Sequence, residues 1–167
     1  MLRRATPADA AKLAIIGPAS FLESFADDHS GDDMVIHFEA YHSRDYYDRA
    51  LADPAKTLWI VEEKVGAPIG YAMMGAATLP GTNLQDAELI RIYVLSRWQG
   101  TGLGRGLFDA VLAHAKASGA KRLALSVYTK NVKAQAFYQR NGFTAIGPTT
   151  FKVGKTDYQD IVMVRAL

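Results

Sequence analysis

The sequence predicts an α/β fold of the α+β kind: one mixed, mostly antiparallel central sheet of about 6–7 strands, flanked by helices. Three observations predict it. Thr57–Glu62 and Ile69–Gly75 alternate as strands across a short turn, which implies an antiparallel pair. Leu89–Leu107, LIRIYVLSRWQGTGLGRGL, passes from an apolar run through a glycine-rich turn into an amphipathic helix, and Leu123–Val127 follows as a strand. A strand–helix–strand unit implies a parallel pair. The chain is 167 residues long, 49% apolar and 22% charged. One domain, 1–167, is the expectation for that size and composition.

The elements follow in order. Met1–Ala5 reads as a short strand. Thr6-Pro7-Ala8-Asp9 reads as a helix start, with Thr6 as N-cap, Pro7 first and Asp9 closing a short capping box. The helix runs through Ala10–Ile16, and Gly17-Pro18 is expected to interrupt it before a second helical piece reaches Phe25. Ala26–Ser43 is the least regular stretch. Its run Asp27-Asp28-His29-Ser30-Gly31-Asp32-Asp33 reads as a solvated acidic loop and lacks the EF-hand pattern. His37, Phe38, Tyr41 and His42 read as packing and surface residues rather than ligands. Ser43 caps a helix over Arg44–Leu51, which Asp53-Pro54 ends. Two strands, a loop at Ala76–Gln85 and the strand from Ala87 come next. A helix ending near Ser118-Gly119, the strand Leu123–Val127 and the Asn131-capped helix Val132–Arg140 follow. Phe143–Ile146 and Tyr158–Val164 are the last strands, joined through Pro148–Asp157.

Composition narrows the function classes. The net charge of +2 gives no broad field for nucleic acid or an anionic membrane. The absence of cysteine excludes disulfides, thiolate catalysis and a cysteine-based zinc site. The four histidines show no metal-ligand spacing, so no metal is expected. No apolar run approaches the roughly 18–20 residues that span a bilayer. The first residues carry charge but no apolar core of a leader. A cytoplasmic location is the expectation.

Gly100, Gly102, Gly104 and Gly106 alternate just before a helix. Such a turn gathers backbone N–H groups at a helix N-terminus, which suits a phosphate or pyrophosphate. A plain tight turn is the other reading. The spacing is neither that of a P-loop nor G-x-G-x-x-G. What stands here is Gln99-x-x-Gly102-x-Gly104, directly after a β run. Downstream, Asn131-Val132-Lys133-Ala134-Gln135-Ala136-Phe137-Tyr138-Gln139-Arg140-Asn141-Gly142-Phe143 fits N-x-x-A-x-x-F-Y-x-x-x-G-F at every fixed position. Together these resemble the two signatures of the GCN5-related N-acetyltransferase (GNAT) family. The resemblance is clear over Ala87–Phe143.

The resemblance implies a GNAT-like acyl-CoA N-acyltransferase fold and acetyl transfer from acetyl-CoA to a primary amine. It implies that Gln99, Gly100, Thr101, Gly102, Leu103, Gly104 and Arg105 hold the pyrophosphate. It implies that Ile92, Tyr93 and Val94 line the pantetheine arm, which pairs with an exposed strand edge. Asn131 adds a side-chain contact to this arm. Lys133, Arg97 and Arg105 are candidates for the 3′-phosphate, with surface roles as the alternative. Glu88, at the start of the strand, matches the place of a family general base, acting directly or through water. Asp86 is the fallback, and a chain of water and backbone carbonyls is a third route. Tyr138 matches the family's general acid, with a packed aromatic as the plainer reading. Tyr158 and Asp160 are further candidates for the acceptor site. The expected acceptor is a small-molecule amine: a polyamine, an amino sugar or an amino acid. The other reading of the acidic run Asp27–Asp33 is that it borders the acceptor pocket and attracts a cationic amine. A protein amine also fits. A non-catalytic acyl-CoA sensor or partner subunit is the alternative. A homodimer through the last strands is the family's common assembly.

Overall fold

The computed structural model describes all 167 residues. The chain runs β1 (Leu2–Arg4), α1 (Ala10–Phe25), α2 (Gly31–Tyr41), α3 (Arg44–Ala52), β2 (Thr57–Glu62), β3 (Pro68–Ala76), β4 (Asp86–Val94), α4 (Leu103–Ala117), β5 (Arg122–Tyr128), α5 (Val132–Arg140), β6 (Thr144–Val153) and β7 (Thr156–Ala166). The seven strands form one sheet in the order β1-β2-β3-β4-β5-β7-β6. Only the β4–β5 pair is parallel. It is the pair that α4 connects, as a crossover connection requires. No helix is long and apolar enough to cross a membrane.

Two cores sit on the two faces of the sheet. On one face, Leu107, Phe108, Val111 and Ala115 of α4 pack on Trp59, Leu89, Leu123 and Leu125. The i, i+4 apolar stripe of α4 is therefore wholly used. Each large side chain there contributes roughly 1.5–3 kcal/mol. On the other face, Leu13 and Ile16 of α1 and Tyr47 of α3 pack on Leu58, Ile60, Tyr71 and Met73.

The structure departs from the sequence reading in three places. First, α1 is continuous through Pro18. Gly17 lets it pass close to α3: a Cβ at Gly17 would collide with the Tyr47 hydroxyl and the His42 ring. Packing on both sides thus outweighs the proline penalty. Second, Gly31–Tyr41 is a helix, so the acidic run is only partly loop. Asp33 accepts hydrogen bonds from Lys155 N (2.7 Å) and Thr156 Oγ1 (2.6 Å), which holds α2 to the β6–β7 turn. Third, β6 and β7 are one long hairpin, with Pro148 inside β6 opposite Ile161. β6 is the sheet edge, where a residue without an N–H is tolerated.

Candidate active site

The site begins with a fault in the sheet. β4 and β5 pair only at Asp86–Glu88 with Arg122–Ala124. Arg122 clamps this closed end, donating to both oxygens of Asp86 at 3.0 and 2.6 Å. On the β3 side, Met73 faces Arg91 and Met74 faces Leu89, so Ile90 is an extra residue in β4. A bulge of this kind bends its strand and ends regular pairing. Beyond it β4 and β5 diverge, and a cleft of about 600 Å³ opens between them.

One end of the cleft is built for an anion. Gly100 and Gly102 have φ of +78° and +89°, which side chains rarely adopt, and a Cβ at either would meet nothing. Gly102 caps α4 without any side-chain hydrogen bond, so the first helical N–H groups stay free. Gln99 donates from Nε2 to Val94 O (3.0 Å), which fixes the exit of β4. Lys133 Nζ stands 3.4 Å from Gln99 Oε1, at the same rim. Arg105 also lines the cleft, although Asp109 shares its guanidinium at 2.8 Å. Thr101 closes the turn by donating to Trp98 O at 2.6 Å, and Leu103 packs into the α4 core. Arg97 lies over the Trp98 ring, outside the cleft.

In the middle, Ile92, Tyr93 and Val94 line the β4 wall. Asn131 caps α5 by accepting from Ala134 N (3.0 Å), which leaves its Nδ2 free to donate into the cleft. Tyr138 stands there too, buried against Phe137 and Phe143. Burial, then the neighbouring Tyr93, pushes its phenol well above the ordinary tyrosine value. It therefore carries its proton at neutral pH.

Past Tyr93 the cleft becomes aromatic. Phe21 and Phe25 of α1, His29, Tyr128, Phe151 and Tyr158 wall this end. His29 stacks flat on Tyr158 at 3.8 Å. Asp160 of β7 is the sole acidic residue lining the cleft. It is 6% exposed and in no ion pair; burial raises its pKa to about 6, against a lowering by the Ser126 hydroxyl. The acidic run borders this end, but none of its carboxylates lines the cleft. Asp28 accepts hydrogen bonds from the Tyr128 hydroxyl and, at 2.6 Å, from Lys130.

Glu88 lies elsewhere. It lines a small separate recess with Lys56 and Thr78, and its carboxylate accepts from Thr78 N at 2.8 Å and Thr78 Oγ1 at 3.2 Å. Asp86 is held by Arg122 and by Asn83 N. Neither carboxylate lines the cleft. Sequence reasoning missed Arg91 and His37, which do. Arg91 left one signal, a charge inside the apolar run Leu89–Leu95.

A parted parallel strand pair with a turn of free amides at one end and a protonated phenol midway is a frame that fits an acyl-group transferase. The family model described as "Acetyltransferase (GNAT) family" matches residues 20–143, and the chain belongs to that family. An uncharacterised N-acetyltransferase of Mycobacterium tuberculosis is 33% identical over 159 residues, covering 95% of this chain and 98% of that protein. The spermine/spermidine N(1)-acetyltransferase of Bacillus subtilis is 32% identical over 61% of this chain and 65% of its own length. The PaiA N-acetyltransferase of Thermoplasma acidophilum, solved in complex with coenzyme A, has the same fold. It superposes with a TM-score of 0.82 at 18% identity, over 100% of this chain and 98% of that one.

Proposed function

We propose that the chain is a single acetyltransferase domain that moves an acetyl group from acetyl-CoA directly to the primary amine of a small molecule. One observation carries the reading: a single cleft joins the free N–H groups before α4 to Tyr138 and Asp160. The glycine turn fits a pyrophosphate in both charge and space. The CoA-bound relative of the same fold supports that fit.

Acetyl-CoA supplies an acyl carbonyl that a neutral amine attacks, forming the N–C bond as the C–S bond breaks. Asp160 takes the ammonium proton, because it faces the aromatic end and has no competing cation. This reassigns the base from Glu88. Tyr138 gives its proton to the departing thiolate and regains one from the acylated nitrogen, which leaves a neutral amide and a free thiol. Unpaired N–H groups of β4 past the bulge steady the oxyanion.

The test is thiol release from acetyl-CoA over a panel of amines, with the wild type and Asp160→Asn. Turnover with kcat/KM rising through about pH 6, and a fall of roughly 10²–10⁴ in the variant with that limb lost, is the expected result. Binding of acetyl-CoA without turnover of any amine would instead favour a sensor or partner subunit.

A further inference from the structure

Arg91 sits where β4 has its bulge, beside the aromatic end of the cleft, and the protein gives it no counter-ion. Its guanidinium donates from Nη1 to Tyr41 O at 3.1 Å, lies 5.0 Å from the centre of the Tyr46 ring and reaches the Tyr47 hydroxyl. Five N–H donors around one positive charge call for more than a carbonyl, a hydroxyl and a ring face, none of them anionic. Next to it, His37 is 2% exposed, and both its ring nitrogens lack a partner. Burial, then the nearby Arg91 charge, lowers its pKa to about 4, so the ring is neutral and keeps one N–H to donate. Buried polar groups left unpaired cost free energy unless a ligand meets them. Across the cleft, two strand positions away, Asp160 is the one acid.

From this juxtaposition we infer that the acceptor is an amine that also carries a carboxylate and a flat apolar body, with the carboxylate held by Arg91 and His37. The inference rests on the transferase reading and names its substrate class. An Arg–carboxylate contact is strong and directional because both groups are planar forks. Phe21 and the stacked His29–Tyr158 pair offer flat surfaces for the body between the two charges. A polyamine fits this end poorly. It needs several carboxylates, whereas the cleft supplies one and adds an unneutralised arginine.

Matched amines test the inference. Phenylalanine and 4-(aminomethyl)phenylacetate are compared with 2-phenylethylamine and spermidine in the thiol-release assay. Their binding to the protein loaded with desulfo-CoA is measured by calorimetry. The calorimetric arm reads the preference without turnover, so a failure of the transferase reading is seen separately. Expected is at least a tenfold preference for 4-(aminomethyl)phenylacetate, the one amine of the four with its ring between the two charges, over the other three. In Arg91→Gln the KM of that amine rises at least tenfold more than that of 2-phenylethylamine, and Arg91→Lys recovers part of the loss. A preference for phenylalanine, spermidine or 2-phenylethylamine in either arm overturns the inference. So does an equal response to all four, or a preference that Arg91→Gln leaves intact. The wild-type comparison decides even if the variants do not fold.

Discussion

Where β1 meets the start of α1, Arg3 donates to both oxygens of Asp9 at 2.7 Å and to Glu62 at 2.9 Å, while Lys12 reaches Glu62 at 2.5 Å. At the aromatic end of the cleft, His37 and Asp160 are buried and Arg91 half-buried, and none has an ion-pair partner. The same residue types thus do opposite things. In the corner, pairing holds both carboxylates below their ordinary pKa values, chiefly through Arg3 at Asp9 and Lys12 at Glu62. In the cleft, burial without a cationic partner drives Asp160 up to about 6, against a lowering by the Ser126 hydroxyl. Groups that face each other stabilise the fold; groups that face a gap await a ligand. The direction in which a carboxyl is shifted separates the two uses.

Four substitutions break or sharpen this contrast. Tyr138→Phe leaves the packing intact and removes only the hydroxyl. It is expected to lower kcat about 100-fold with acetyl-CoA affinity unchanged by calorimetry. Asp9→Asn strikes the corner. Arg3 is partly exposed, so the loss is discounted to about 2 kcal/mol, or a fall in Tm of roughly 4–8 °C, with kcat/KM unchanged. The sign with pH follows from the lowered pKa values of Asp9 and Glu62. Their contribution is full above the unfolded values near pH 4 and is lost as acid protonates the folded pair, so the cost of Asp9→Asn vanishes in strong acid.

Asp160→Asn goes the other way in stability. A raised folded pKa means the ionised group costs stability above about pH 6, and the cost is absent below the ordinary value of 3.8. The variant is expected to melt higher than wild type at pH 8, by about 1 kcal/mol, and no higher at pH 4. Glu88→Gln is the smallest. Thr78 already satisfies this carboxylate away from the cleft, so kcat/KM is expected to stay within about threefold. A hundredfold loss there would return the base to Glu88.

Much of the fold was legible because local patterns and tertiary demands agree. The α4 stripe Leu103–Leu107–Val111–Ala115, the Asn131 cap and the glycine turn all stand where the sequence put them. Residues 26–43 were not legible, because α2 depends on contacts distant in sequence. Its acidic start looks like a loop until Asp33 meets the β6–β7 turn. The site divides the same way. Gln99, Asn131 and Tyr138 lie in motifs and line the cleft. Arg91, His37 and the aromatic wall come from four separate stretches, and only the folded sheet brings them together. Glu88 shows the limit of spacing. It lies on the strand that lines the cleft, but in the closed, paired segment before the bulge.

The three-residue seam between β4 and β5 has a mechanical consequence. Four strands lie on one side of it and three on the other, so the sheet is two plates hinged at one edge. Whatever fills the gap acts as a wedge that joins the plates. At a hundredfold excess over its Kd such a ligand adds about 2.7 kcal/mol to stability. Wherever proteases sample the opened chain, the lifetime of this protein follows the supply of the molecule that occupies the seam.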